Sequence, residues 1–88
     1  MEIYDSPMGT KKNIKKLMKL PAEMRFGEIK SILFFLGYEI NRTRGSHFIF
    51  TKAGFDAIII PVHHNKVKRV YLLDIKRELA NQKFIPPL

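Results

Sequence analysis

A histidine with two neighbouring arginines is the group of residues in this sequence best suited to chemistry. Arg42 and Arg44 precede His47, and Gly45-Ser46 stands between them as a flexible turn that carries a hydroxyl. Imidazole titrates near neutrality and can take or give a proton, whereas guanidinium groups bind phosphate oxygens in pairs and keep their charge. The combination predicts a site for chemistry on a phosphodiester. The alternative is a structural histidine that caps a hairpin through hydrogen bonds.

The sequence around this group predicts a hairpin that holds His47 at the mouth of a strand. Residues 38–43 have the pattern of a first strand, and residues 47–51 have that of its partner across a short turn. Residues 57–62 are rich in β-branched side chains and predict a third strand. Pro61 near its end lacks the N–H that a central ladder needs, which indicates an edge or a strand end.

Helical periodicity flanks the predicted strands on both sides. Residues 26–36 form one apolar stripe that Gly37 closes, and a later segment forms a second stripe through Leu72, Ile75 and Leu79. The order of elements is therefore α-β-β-β-α. On this scale it predicts an α+β two-layer domain, in which both helices cover one face of an antiparallel sheet.

The N-terminal segment has two parts. Residues 1–10 show no periodicity, which predicts a flexible lead-in to a single domain over residues 11–88. Residues 11–20 carry five lysines around apolar positions at helical spacing, and they predict an extra short helix that Pro21 ends. Its apolar stripe is small, which favours docking on the domain over binding RNA or a membrane surface.

Composition restricts the partner and the compartment. The chain has 88 residues, with 16 Lys and Arg against 8 Asp and Glu, and a formal charge of +8. Such an excess favours a polyanionic or acidic partner, although a basic protein can also owe its charge to solubility alone. Cysteine is absent, and no run approaches the roughly 18 apolar residues of a membrane span. We therefore expect a cytoplasmic protein without a membrane partner.

Two motifs at the strand ends occur together. The first is residues 45–50, Gly-Ser-His-Phe-Ile-Phe, and the second is residues 60–66, Ile-Pro-Val-His-His-Asn-Lys. With the helix before them and the basic helix after them, they resemble the HicA-family toxins of bacterial toxin-antitoxin pairs over about residues 26–80. The resemblance implies a fold like that of double-stranded-RNA-binding domains.

The resemblance also implies an activity and a partner. It implies an mRNA endonuclease that inhibits translation and growth, with His47 as the catalytic residue and a HicB-type antitoxin covering the His47 site. The chemistry agrees, since a ribonuclease without metal or cofactor can use the 2′-hydroxyl of RNA as nucleophile, given a base, an acid and cations. We expect neither a metal nor a cofactor. The residues expected to contact RNA are Arg42, Arg44, Gly45, Ser46, His63, Lys66 and Lys68.

Two other functions fit the same sequence. A non-catalytic RNA-binding or regulatory module would use the same basic surface to hold nucleic acid by shape and phosphate contacts. A protein-interaction domain would use it to bind an acidic partner. His63 is expected near His47 if the second and third predicted strands pair, whereas adjacent His63 and His64 are not expected to bind a metal.

Phe48 departs from the family pattern, in which a second histidine or a charged residue often follows the catalytic one. Strand alternation places Phe48 on the face opposite His47. There it is expected either as an exposed aromatic for base stacking or protein contact, or as a side chain packed under a loop or the N-terminal helix.

Overall fold

The computed structural model describes residues 7–84 of the chain. Within them, three helices and five strands follow one another. In chain order these are α1 (Pro7–Met18), β1 (Glu23–Arg25), α2 (Phe26–Phe35), β2 (Glu39–Arg44), β3 (His47–Thr51), β4 (Ile58–Pro61), β5 (Lys66–Lys68) and α3 (Arg69–Asn81).

Three of the strands form an antiparallel sheet in the order β2-β3-β4, so the second and third predicted strands do pair. The central strand β3 pairs with β2 from Glu39↔Thr51 to Arg44↔His47, and with β4 from His47↔Pro61 to Phe50↔Ile58. Strand β4 is therefore an edge strand that ends at Pro61, as the missing proline N–H predicted.

A second, two-stranded sheet was not predicted. Its strands β1 and β5 pair antiparallel, with Met24 opposite Val67 in the middle of the register. Both of these side chains are buried, while their neighbours along each strand are largely exposed. Three-residue strands are too short to show a period, so the local sequence carried no signal for them. They align the N-termini of α2 and α3, because each helix starts directly after one of the strands.

The core lies between one face of the three-stranded sheet and the helices. Phe50 at the centre of β3 is fully buried, and the inward residues of α2 and α3 surround it together with Ile60 of β4. The predicted stripe of Leu72, Ile75 and Leu79 is buried along α3. The α+β fold class, with α-β-β-β-α order and an extra N-terminal helix, is thus confirmed.

Two local features fix the ends of α2. The Arg25 backbone N–H donates to Glu28 Oε1 (2.9 Å) at the start of the helix, and Gly37 adopts φ +99° just after its end. Burial of Glu28 works to raise its pKa. The hydrogen bonds from Lys16 and the Arg25 backbone, with the charges of those two residues, outweigh the burial and hold the pKa below its usual value.

Helix α1 docks on the domain, as its apolar stripe favoured. Leu17 is fully buried, Asn13 Nδ2 donates to Ser31 Oγ (2.8 Å), and Lys16 forms an ion pair with Glu28 (3.0 Å). The helix begins at Pro7 and ends at Met18. Residues 7–10, assigned above to a flexible lead-in, are therefore helical, because the docked helix extends over them. The remainder of that lead-in, residues 1–6, lies outside the described residues.

Candidate active site

A two-residue turn brings Arg44 and His47 together. Arg44 pairs with His47 across the hairpin, and Gly45 and Ser46 make the connection. Gly45 has φ +59° and Ser46 is not left-handed, which is the pattern of a type II′ turn with glycine first. A Cβ on Gly45 would meet nothing within 4 Å. The glycine is therefore needed for its backbone conformation rather than for space.

A β-bulge places both arginines on the face that carries His47. Ile40 pairs with Phe50, but Arg42 pairs with Ile49, so Asn41 is the extra residue in β2. If β2 paired regularly through Asn41 with no bulge, alternation from Ile40 would put Arg42 and Arg44 on the core face. With the bulge, both arginines lie on the same face as His47, and directly opposed residues have Cβ atoms about 4.5–5.5 Å apart.

This face of the sheet is open and positively charged. His47, Arg42 and Arg44 are exposed, and no carboxylate of residues 9–84 forms an ion pair with either arginine. Elsewhere in the domain, Lys16 and Lys66 each have a carboxylate within 3.0 Å. Arginines without such partners are the better placed to bind phosphate oxygens, since no internal acid must first be displaced.

Three other predicted RNA contacts lie in a second cluster. His63 and Lys66 close a tight turn, with backbone hydrogen bonds of 3.0 and 2.9 Å between them. The two residues inside the turn have φ 52° and 63°, which is the pattern of type I′. The pocket beside this turn is lined by Glu23, His63, His64, Lys66 and Lys68.

The sequence did not predict that an acidic residue lines this pocket. Glu23 of β1 pairs with Lys66 (Nζ to Oε2 3.0 Å), 43 positions further along the chain. Because Glu23 partly neutralises its charge, Lys66 attracts a nucleic acid less strongly than an unpaired lysine would. Only the pairing of β1 with β5 creates this contact, and no local pattern reveals it.

The two clusters are joined through the backbone. The Val62 N–H donates to Ser46 O (2.8 Å), which extends the β3–β4 ladder one step past Pro61. His63 follows directly, and strand alternation from Pro61 puts it on the face that carries His47. Lys66 and Lys68, in contrast, belong to the β1–β5 sheet rather than to the sheet that carries His47.

Phe48 is not an exposed stacking platform. Its ring centroid lies 4.3 Å from that of Phe26, the first residue of α2, and the side chain is partly buried against the core. Of the two expectations for Phe48, packing is correct, but the cover is α2 rather than a loop or α1.

The comparison with known families agrees with this geometry. The family described as the HicA toxin of bacterial toxin-antitoxin systems matches residues 26–80, which is more than half of the chain. The chain belongs to the HicA toxin family. It is thus a toxin of a toxin-antitoxin pair. Neither a curated protein nor a solved structure matches the chain.

The HicA match covers both clusters and leaves out α1. It begins at Phe26, so Glu23 and the lysine-rich helix precede it, while His47 and His63 fall within it. Among residues 7–84, no helix is long and apolar enough to cross a membrane. In the same part of the chain, no three His, Asp or Glu side chains come together as metal ligands.

Proposed function

We propose that this HicA toxin is an RNA endonuclease in which His47 takes or gives a proton during cleavage. The observation that carries the proposal is the cross-strand pair of Arg44 and His47 at an exposed hairpin end. A proton carrier and a phosphate-binding cation stand side by side there, on a face that the core does not use.

The proposed reaction uses the RNA itself as nucleophile. The 2′-hydroxyl loses its proton, its oxygen bonds to the adjacent phosphorus, and the bond from phosphorus to the 5′-oxygen breaks as that oxygen gains a proton. His47 serves one of these two proton transfers. Arg44 and Arg42 bind the non-bridging oxygens, whose negative charge grows in the transition state. This route leaves a 2′,3′-cyclic phosphate and requires no metal or cofactor.

The second cluster extends the RNA contact in this proposal. His63, which follows the strand paired with β3, and Lys68, which is exposed on β5, would hold phosphates beyond the cleaved one. Lys66 contributes less because it shares its charge with Glu23. Gly45 and Ser46 supply the turn and its polar groups.

The proposed partner is a HicB-type antitoxin that covers the His47 face. Ile59 on β4 is 54% exposed and stands opposite Ile49, which is two residues along β3 from His47. Apolar side chains beside cationic ones suit a protein interface. A partner seated here would exclude mRNA from His47.

Expression of the chain alone tests the catalytic claim. We expect wild type to arrest growth, and purified protein to cleave RNA in the presence of EDTA. His47→Ala and His47→Gln should remove the arrest and lower the cleavage rate by roughly 10²- to 10⁴-fold, the usual contribution of one acid or base. Circular dichroism should show wild-type folding, because His47 is exposed.

Three results would oppose the proposal. A folded His47 variant as toxic as wild type would remove His47 from catalysis. Cleavage that stops in EDTA would remove the metal-independent route. RNA binding that weakens with salt and persists without His47, with no cleavage products, would instead identify a non-catalytic RNA-binding module.

A further inference from the structure

The outer edge of β4 is open to an added strand. No strand within residues 7–84 pairs with it on the side away from β3. The bond from Val62 N–H to Ser46 O fixes the alternation of the ladder, so Ile60 and Ile58 exchange hydrogen bonds with β3. Ile59 lies between them, and its N–H and C=O therefore point outward. Pro61 limits the edge at one end by lacking a donor.

A groove runs beside this edge, with strand β4 as one wall and helix α3 as the other. It is lined by Asp56, Ala57, Ile58, Ile59, Ile60, Asp74 and Glu78. Asp74 and Glu78 are one helical turn apart, so they form an acidic stripe along α3. Asp56 adds a third carboxylate from the turn before β4. The groove is thus acidic on a chain whose formal charge is +8.

The charge of the groove selects the class of partner. Three carboxylates repel the phosphates of RNA and attract lysine or arginine side chains. A second copy of this chain offers no suitable strand through β4, because its residues 58–61 are Ile-Ile-Ile-Pro and contain no cation. A basic protein segment therefore fits the groove better than RNA or a self-pairing edge.

We propose that this groove binds an extended segment of a partner protein in which basic and apolar side chains alternate. Added as a fourth strand beside β4, such a segment would hydrogen-bond to Ile59 through its backbone. Its basic side chains would enter the groove toward Asp74 and Glu78. Its apolar side chains would lie on the opposite face against Ile59, next to Ile49 and the strand that carries His47.

The antitoxin is the partner that membership of this toxin family supplies. If a segment of the antitoxin paired with β4, it would hold the antitoxin at the edge of the sheet, one strand away from His47. The arginines proposed to bind RNA would not take part in this contact. This interaction requires no catalysis. Loss of RNA cleavage in a His47 variant would therefore leave the edge binding unchanged.

A designed peptide tests the chemistry of the groove on the full chain. The probe is a fluorescent peptide of five Lys-Val repeats, and its affinity is measured by fluorescence anisotropy. We expect binding, together with slower hydrogen exchange at the Ile59 amide and a chemical-shift change there. A Glu-Val peptide of the same length should not bind.

Removal of the two acidic charges on α3 locates the site. The double variant Asp74→Asn with Glu78→Gln changes the net charge by two units, as Glu39→Lys does, and should weaken Lys-Val binding by about tenfold or more, because both acids face the proposed ligand. Glu39→Lys is the matched control, since Glu39 is exposed on β2 at the other edge of the sheet. It should change the affinity by less than about twofold, because it lies outside the groove.

Several outcomes would overturn the proposal. Equal losses in the α3 double variant and Glu39→Lys would mean general charge attraction. An Ile59 amide that does not respond to the bound peptide would mean binding away from the β4 edge. Binding of the Glu-Val peptide would refute the chemistry. Protection of the Ile59 amide by self-association, without peptide, would assign the edge to a second copy.

Discussion

The two faces of the β2-β3-β4 sheet carry residues that alternate along the same strands, yet the two faces have different roles. One face holds Phe48, Phe50 and Ile60 against α2 and the core. The other presents His47, Ile49 and the two arginines of β2 away from the helices. Burial against the helices makes the first face a source of stability. The proposed chemistry uses only the second face, where a side chain can change without leaving a cavity.

The basic residues of the molecule differ in their neighbours. Lys16, Lys66 and Arg77 each have a carboxylate within 4 Å, which belongs to Glu28, Glu23 and Asp74 respectively. On the open face the arginines have no such partner within residues 9–84. Most lysines elsewhere in that part of the chain, Lys68 among them, have no carboxylate partner either, so unpaired positive charge alone does not mark the site. What distinguishes the open face is that two arginines lie on it together with His47, a group that can carry a proton.

Truncation of one apolar residue on each face of the sheet should give the largest difference in the free energy of unfolding. Phe50→Ala should lower the free energy of unfolding by about 3–5 kcal/mol, because it leaves a cavity in the core. Ile59→Ala, at an exposed position, should change it by no more than about 0.5 kcal/mol. Urea denaturation measures both. Equal losses would mean that the open face is also packed in solution.

Removal of one arginine tests the charge on the open face. Arg44→Ala should lower the RNA cleavage rate by roughly 10- to 100-fold, since a hydrogen bond to a charged group contributes about 1.5–3 kcal/mol. The control is Arg77→Ala on α3, which removes the same charge from an exposed position outside the site. Its rate should stay close to that of wild type. Similar losses in both variants would make the effect one of net charge.

Two single-residue deletions test the bulge in β2. Deletion of Asn41 regularises the strand and leaves Arg42 opposite Ile49, so cleavage should stay within about threefold of wild type. Deletion of Thr43 also regularises it, but alternation then puts Arg42 opposite Phe48 on the core face. Cleavage should fall by about tenfold, the lower end for a lost charged hydrogen bond. Identical rates for the two deletions would show that the face of Arg42 does not matter.

Removal of the Glu28 charge at the start of α2 should have the smallest effect on the free energy of unfolding. Glu28→Gln keeps an acceptor for the Arg25 N–H but loses the charge, and should cost about 0.5–1 kcal/mol near pH 7. Because the folded-state pKa of Glu28 is lowered, its stabilisation is fully present above the ordinary carboxyl pKa of 4.5 and is lost as pH falls through the folded-state pKa. Urea denaturation at pH 7 and pH 3 should show the difference shrinking. A constant difference would contradict this origin, and Glu39→Gln serves as the control.

Local patterns in the sequence determined most of the elements. The stripe closed by Gly37 marked α2, and the run from His47 to Thr51 marked β3 within its observed bounds. Pro61 correctly indicated an edge strand. These features depend on neighbours within a few positions, so helical or strand periodicity and the chemistry of glycine and proline were sufficient. The family could likewise be recognised from two short motifs.

The surroundings of those elements depend on tertiary contacts. The shift at Asn41 sets the face of Arg42 and Arg44, and it follows from how the whole hairpin packs rather than from any local period. The cover over Phe48 comes from Phe26, and the acid beside Lys66 comes from Glu23. Such contacts join residues far apart in the chain. Residue types and short motifs were therefore enough to identify the side chains that could do chemistry, whereas long-range pairing sets which of them share a face.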